Sequence, residues 1–186
     1  GVAMFLGFPA PGAALVLGTL FGMGTIWLVF RLSEEIFEER SVWDGVAPAL
    51  LALSASFACW SSGGLETQMF TFWVVLGIYF YVRQDRQEKS LRYTGLCLAL
   101  AAMTRPEGLL ITAIIAIHRL AMNISCDRRI LPQREELLCL AMFFCIWGPW
   151  FLWRWNYYGH IFPNTYYVKA SGTPLRPEWY FDQVWA

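Results

Sequence analysis

Apolar residues run through this chain in long blocks, separated by short charged or turn-forming stretches. Six blocks stand out, at 10–30, 43–60, 67–82, 91–103, 108–122 and 137–153. About twenty apolar residues cross a hydrocarbon core, so each block reads as a helix that spans or enters a membrane, and several are short for the task. The pattern predicts an all-α, polytopic transmembrane helix bundle of about six segments. Residues 1–186 are expected to be part of one such domain, truncated at both ends, with 154–186 forming an extracytoplasmic loop and an interfacial segment. The tail Pro177-Glu178-Trp179-Tyr180-Phe181 carries the helix-start proline and aromatic anchors of such a segment.

The charges between the blocks sort by side. If successive connections alternate across the membrane, one side collects ten of the fourteen Lys and Arg residues: Arg31, Arg40, Arg83, Arg86, Lys89, Arg92, Arg119, Arg128, Arg129 and Arg134. The other side holds Arg105, Arg154, Lys169 and Arg176. Short loops rich in Lys and Arg stay in the cytoplasm, so the first side is expected to be cytoplasmic. The stretch 33–40 and the connection 83–92 then serve as solvated turns and orientation signals. Asn123-Ile124-Ser125 matches a glycosylation sequon, but this sidedness leaves it unmodified.

Composition strengthens the membrane reading. The chain is 57% hydrophobic and only 15% charged, against roughly 25% charged in an average soluble domain. Ten Trp and fourteen Phe suit a protein solvated by lipid. A net charge of zero argues against a nucleic-acid partner. The five cysteines form no C-x-x-C pair and fit packing better than zinc or disulfides. No Met start, basic n-region or cleavage site precedes the first block, so no signal peptide is expected.

Unusual chemistry gathers in the connections opposite the cytoplasm. Ser61-Ser62-Gly63-Gly64-Leu65-Glu66 opens one helix, Thr104-Arg105-Pro106-Glu107-Gly108 joins two, and Arg154 to Lys169 follows the last block. The block 91–103 rises only about 20 Å, which should hold Arg105 and Glu107 below the membrane surface, in a cavity recessed into the outer leaflet. Glu66 and Glu107 each have a structural reading as acids favoured by a helix N-terminus, and Arg105 and Glu107 can neutralise one another. Arg105 also offers a planar fork suited to phosphate oxygens. In the last stretch, Trp and Tyr suit an interfacial belt, whereas Gly159, Pro163 and Asn164 specify turns around His160. Arg154 and Lys169 fit phosphate as fork and point charge. Tyr157, Tyr158 and Tyr166 supply ring faces and hydroxyls.

Gly64-Leu65-Glu66-Thr67, Thr104-Arg105-Pro106-Glu107-Gly108, and Tyr157-Tyr158-Gly159-His160 with Pro163-Asn164-Thr165-Tyr166 through Lys169 resemble the GT-C superfamily of polytopic membrane glycosyltransferases. They look most like its terminal arabinofuranosyltransferase-like and protein mannosyltransferase-like branch, over about residues 9–169. The resemblance implies an enzyme of the cytoplasmic (inner or plasma) membrane, with its active face extracytoplasmic. It would transfer a sugar from a polyprenyl-phosphate donor to a glycan, lipid or protein acceptor. The family's principal acid, typically an aspartate in the first external loop, is absent from this chain and is expected upstream of Gly1; in some members it binds a divalent metal, Mg or Mn. Glu66, Glu107 and His160 are the catalytic candidates here, and Arg105, Arg154, Tyr157, Tyr158, Asn164, Tyr166 and Lys169 the substrate-binding ones.

Two rivals compete with that reading. A transporter would place its site near the midplane within an internal repeat; the chain contains no repeat, and His118 near the cytoplasmic end is too isolated for a polar path. A non-catalytic envelope or motility protein on the same scaffold would lack the upstream acid. Replacing Glu66 with Gln tests its part directly: turnover falls if the carboxylate acts in the reaction, and unchanged turnover in a transfer assay removes it from the mechanism.

Overall fold

The computed structural model describes residues 10–37, 42–63, 66–84, 90–125 and 131–159. Among these are seven α-helices, one short 3-10 helix and no strand. The helices are α1 (Ala10–Ile36), α2 (Val46–Leu53), α3 (Ala55–Ser62), α4 (Thr67–Arg83), α5 (Ser90–Thr104), α6 (Glu107–Ser125) and α7 (Arg134–Tyr158), with the 3-10 helix at Val42–Gly45. All six apolar blocks are therefore helical in their described parts. By length and composition, α1, α6 and α7 can each cross a membrane.

The second block differs from a plain span. It is broken between α2 and α3 and bends by 60°. Ser54 makes the break: its backbone is extended, its N–H donates to the Leu51 carbonyl, and its hydroxyl accepts from the Phe57 N–H. One residue thus closes the first helix and caps the second, satisfying groups that a bend would otherwise strand. Counted as one span, the pair makes four candidates. The 17 residues of α4 and the 15 of α5 are shorter than these spans.

Packing is divided at Trp150, with residues 1–150 forming one unit and 151–186 another. In the first unit, α5 is the most enclosed element. Leu91, Thr94, Cys97, Leu98, Ala99, Ala101 and Ala102 are all buried, and a helix apolar on every side belongs inside a protein. Small residues bring its neighbours close. Gly77 of α4 lies against Cys97 and Leu98, and a side-chain carbon at Gly95 would collide with the Cys139 carbonyl oxygen of α7. Phe143 of α7 packs with Leu98, Ala99 and Ala102, and stacks on Trp147 at 5.8 Å. On the other flank, α1 meets α4 where Gly24 faces Phe72, beside the Phe21–Phe72 ring pair at 5.2 Å.

Ion pairs tie the helices together at one end. Arg92 at the start of α5 grips Glu135 at the start of α7 through two 2.6 Å bonds. Glu136 accepts from Arg119 Nε at 2.6 Å, from Asn123 Nδ2 at 2.8 Å and from the Gln133 backbone N–H at 2.9 Å. The last of these is half of a capping box for α7. Arg83 at the end of α4 lies 3.5 Å from Glu35 of α1 and donates to the Tyr79 hydroxyl. Charge sorting groups these same helix ends on the Lys- and Arg-rich side. Asn123 is buried and spends its amide on Glu136, so the sequon's nitrogen is not presented at a surface.

The close approach at Gly95 can be measured. Gly95→Ala must push a backbone carbonyl aside and is expected to cost about 1–3 kcal/mol. Gly148→Ala, whose added carbon meets nothing, should leave stability unchanged or raised. Thermal unfolding of both variants in one detergent makes the comparison.

Candidate functional site

The end of the first unit opposite the ion pairs is built from two connections. Residues 101–109 form a tight reversal: Arg105 N–H donates to Ala101 O, Gly108 N–H to Arg105 O and Leu109 N–H to Pro106 O, each at 3.0 Å. Gly108 is buried against the Ala101 and Ala102 backbone, where any side chain would clash. Pro106 needs no donor partner at this helix start, and Glu107 falls in the first turn of α6, where the helix dipole favours an acid.

This reversal presents Arg105 sideways, toward the start of α4. Its guanidinium carbon lies 5.6 Å from the centre of the Phe70 ring, within cation–π range. Phe70 is one turn beyond Glu66, whose carbonyl accepts the Phe70 N–H at 2.9 Å. The Arg105 reversal therefore meets α4 one turn beyond Glu66.

Arg105 has an acidic partner. Its terminal nitrogen is 3.3 Å from Glu107 Oε1, with the two side chains 36% and 54% exposed. Such an open pair is held loosely, by about 0–1 kcal/mol. The mutual neutralisation open to these residues is thus the arrangement found. Glu66 stands at the N-cap of α4, exposed, and makes no side-chain capping bond. Its carboxylate is not spent on closing the helix.

Sequence reasoning passed over Gln68. It is buried to 2% exposure in the first turn of α4, donating Nε2 to the Phe57 carbonyl of α3 at 3.2 Å. Its Oε1 has no partner among the described residues. An amide in an otherwise apolar run, two positions after Glu66, was the available signal. His118 is also less isolated than its sequence context implies, since its Nδ1 is hydrogen-bonded to the Tyr81 hydroxyl at 2.6 Å.

The second unit has its own chemistry. The last apolar block does not open into a loop at Arg154, because α7 continues to Tyr158. Aromatic side chains sustain that extension: Trp153 stacks on Tyr157 at 5.6 Å, and Tyr157 meets Tyr158 edge-on at 4.8 Å. The helix closes at Gly159, with φ +68° and its N–H on the Trp155 carbonyl at 2.8 Å, a left-handed position that suits glycine. Arg154, Tyr157 and Tyr158 are therefore helical. His160, Asn164, Tyr166 and Lys169 lie outside the described residues.

No cluster of three His, Cys, Asp or Glu side chains suited to a metal occurs among the described residues. A cavity of about 220 Å³ lies at the ion-paired end, lined in part by Tyr81, Arg119, Asn123 and Glu136.

Comparison with known proteins adds no relative. No family model, curated protein or solved structure matches this chain. The local geometry is then the guide to Arg105. Because its ion pair is open, Arg105→Ala should lower stability by less than about 1 kcal/mol, as read from thermal unfolding.

Proposed function

We propose that this chain belongs to a membrane glycosyltransferase of GT-C type, moving a sugar from a polyprenyl-phosphate donor to an acceptor hydroxyl. In this reading all six apolar blocks lie in the cytoplasmic membrane, and the Arg105 end faces the periplasm or exterior. The observation that carries it is the meeting of the Arg105 reversal with the first turn of α4, through the 5.6 Å contact on Phe70. An arginine fork and the Glu107 carboxylate are paired there, and the exposed Glu66 lies one turn of α4 before the Phe70 contact, at the end away from the Arg- and Glu-rich ion pairs.

The reaction is a displacement at the anomeric carbon. The acceptor oxygen forms a bond to that carbon as the bond to the donor's phosphate oxygen breaks, and the acceptor's proton passes to a carboxylate. Negative charge grows on the departing lipid phosphate, and fixed cations there lower the barrier. Arg105 takes this role, exchanging its loose partner Glu107 for the phosphate, with Arg154 and Lys169 as further phosphate ligands. Glu66 or Glu107 orients sugar hydroxyls or receives the proton. Tyr157, Tyr158, Asn164 and Tyr166 contact the sugar, and His160 donates to phosphate or relays a proton.

The decisive measurement uses the full-length protein in membranes with radiolabelled polyprenyl-phosphate sugars. Transfer to an endogenous acceptor is expected, and Arg105→Ala should reduce it by about 10²–10³-fold, as when one transition-state donor is lost. Absence of product with every donor tried, or full activity in Arg105→Ala, would overturn the assignment.

A further inference from the structure

The cavity at the ion-paired end has a shape and chemistry that the transferase reading leaves unused. It runs along α6 from Thr112 to Asn123, a rise of about 16 Å at 1.5 Å per residue. Its deep part is apolar, walled by Leu98 of α5, Ile115 of α6 and Phe143 of α7. Ala116 and Leu120 line it and are also exposed, so it opens sideways between α6 and α7. Both of these helices can cross a membrane, and such an opening faces lipid. Apolar cavities of about 150 Å³ stay dry and accept apolar molecules, so water is a poor occupant for this one, at about 220 Å³.

Its mouth is polar and incompletely satisfied. Arg119 spends only Nε on Glu136, and its two terminal amino groups have no hydrogen-bond partner among the described residues. Asn123, 5% exposed, gives Nδ2 to Glu136, while its enclosed Oδ1 has no partner among the described residues. Glu136 already accepts three hydrogen bonds. The open valences at the mouth are thus those of a cationic fork that suits a phosphate.

We propose that this cavity binds one phospholipid from the leaflet at the ion-paired end. One acyl chain fills the space between α5, α6 and α7, and the phosphate sits on the Arg119 amino groups. The site rests on membrane embedding alone and stands or falls separately from glycosyl transfer.

Native mass spectrometry of the protein released from nanodiscs holding equal phosphatidylglycerol and phosphatidylcholine tests it. One phospholipid should remain bound, with phosphatidylglycerol over phosphatidylcholine by about fivefold, since only the latter brings a choline cation beside the Arg119 guanidinium. Ala116→Trp fills the opening and should cut retention about tenfold while the melting temperature holds. Thr112→Leu, which narrows the deep end, makes the same test if the tryptophan variant does not fold. Retention of no lipid, equal retention by the filled variant, or equal retention of the two headgroups would overturn the proposal. So would stabilisation in detergent by inorganic phosphate alone that matches the effect of added phosphatidylglycerol.

Discussion

Close approach of helices around α5 is the constraint from which the first unit follows. Between helices in lipid there is no gain from removing apolar surface from water, so association rests on van der Waals contact and on hydrogen bonds that lipid cannot replace. Alanines and glycines permit that contact: Ala99, Ala101 and Ala102 on α5 itself, Gly77 facing it from α4, and Gly95 against the α7 backbone. Larger residues at these points would hold the helices apart and leave voids that only acyl chains could enter. Because α5 has 15 residues, about 22 Å of rise, the polar groups at its two ends are drawn toward the bundle's middle.

The two ends meet that demand differently. At one, Arg92–Glu135 and Arg119–Glu136 close at 2.6 Å, and Asn123 and the start of α7 complete the Glu136 carboxylate. Breaking such a set strands a charge, so it acts as a clamp on helix order. At the other end, Arg105 has one longer bond to Glu107 and a ring beside it. Little free energy holds that pair, so it exchanges readily with solvent. Rigidity at one end and an exchangeable cation at the other are compatible because α4, α5 and α6 carry both.

Much of the helical plan was legible in residue type. The blocks predicted at 67–82 and 91–103 appear as Thr67–Arg83 and Ser90–Thr104 because nothing in them competes with a helix. The break at Ser54 was not visible, since a serine within an apolar run is as compatible with a helix as with a cap. Tyr157 and Tyr158 read as loop because they follow a charge and precede Gly159, yet ring stacking on Trp153 carries the helix through them. Among the candidate residues, the motif holding Arg105 and its pairing with Glu107, two positions away, were evident; Phe70, thirty-five positions away, was not, because only the fold brings it within reach.

The sequence by itself determined that the chain is helical and lipid-compatible, which helix ends carry positive charge, and where acids and an arginine interrupt the apolar pattern. These are properties of single residues and short windows. Tertiary structure decided which charges neutralise each other, that Gln68 and Asn123 are buried with an oxygen unpartnered among the described residues, and that a cavity of about 220 Å³ lies at the ion-paired end. Those outcomes depend on distances between helices, and such distances are set by the summed contacts of glycines, alanines and rings that no local pattern encodes.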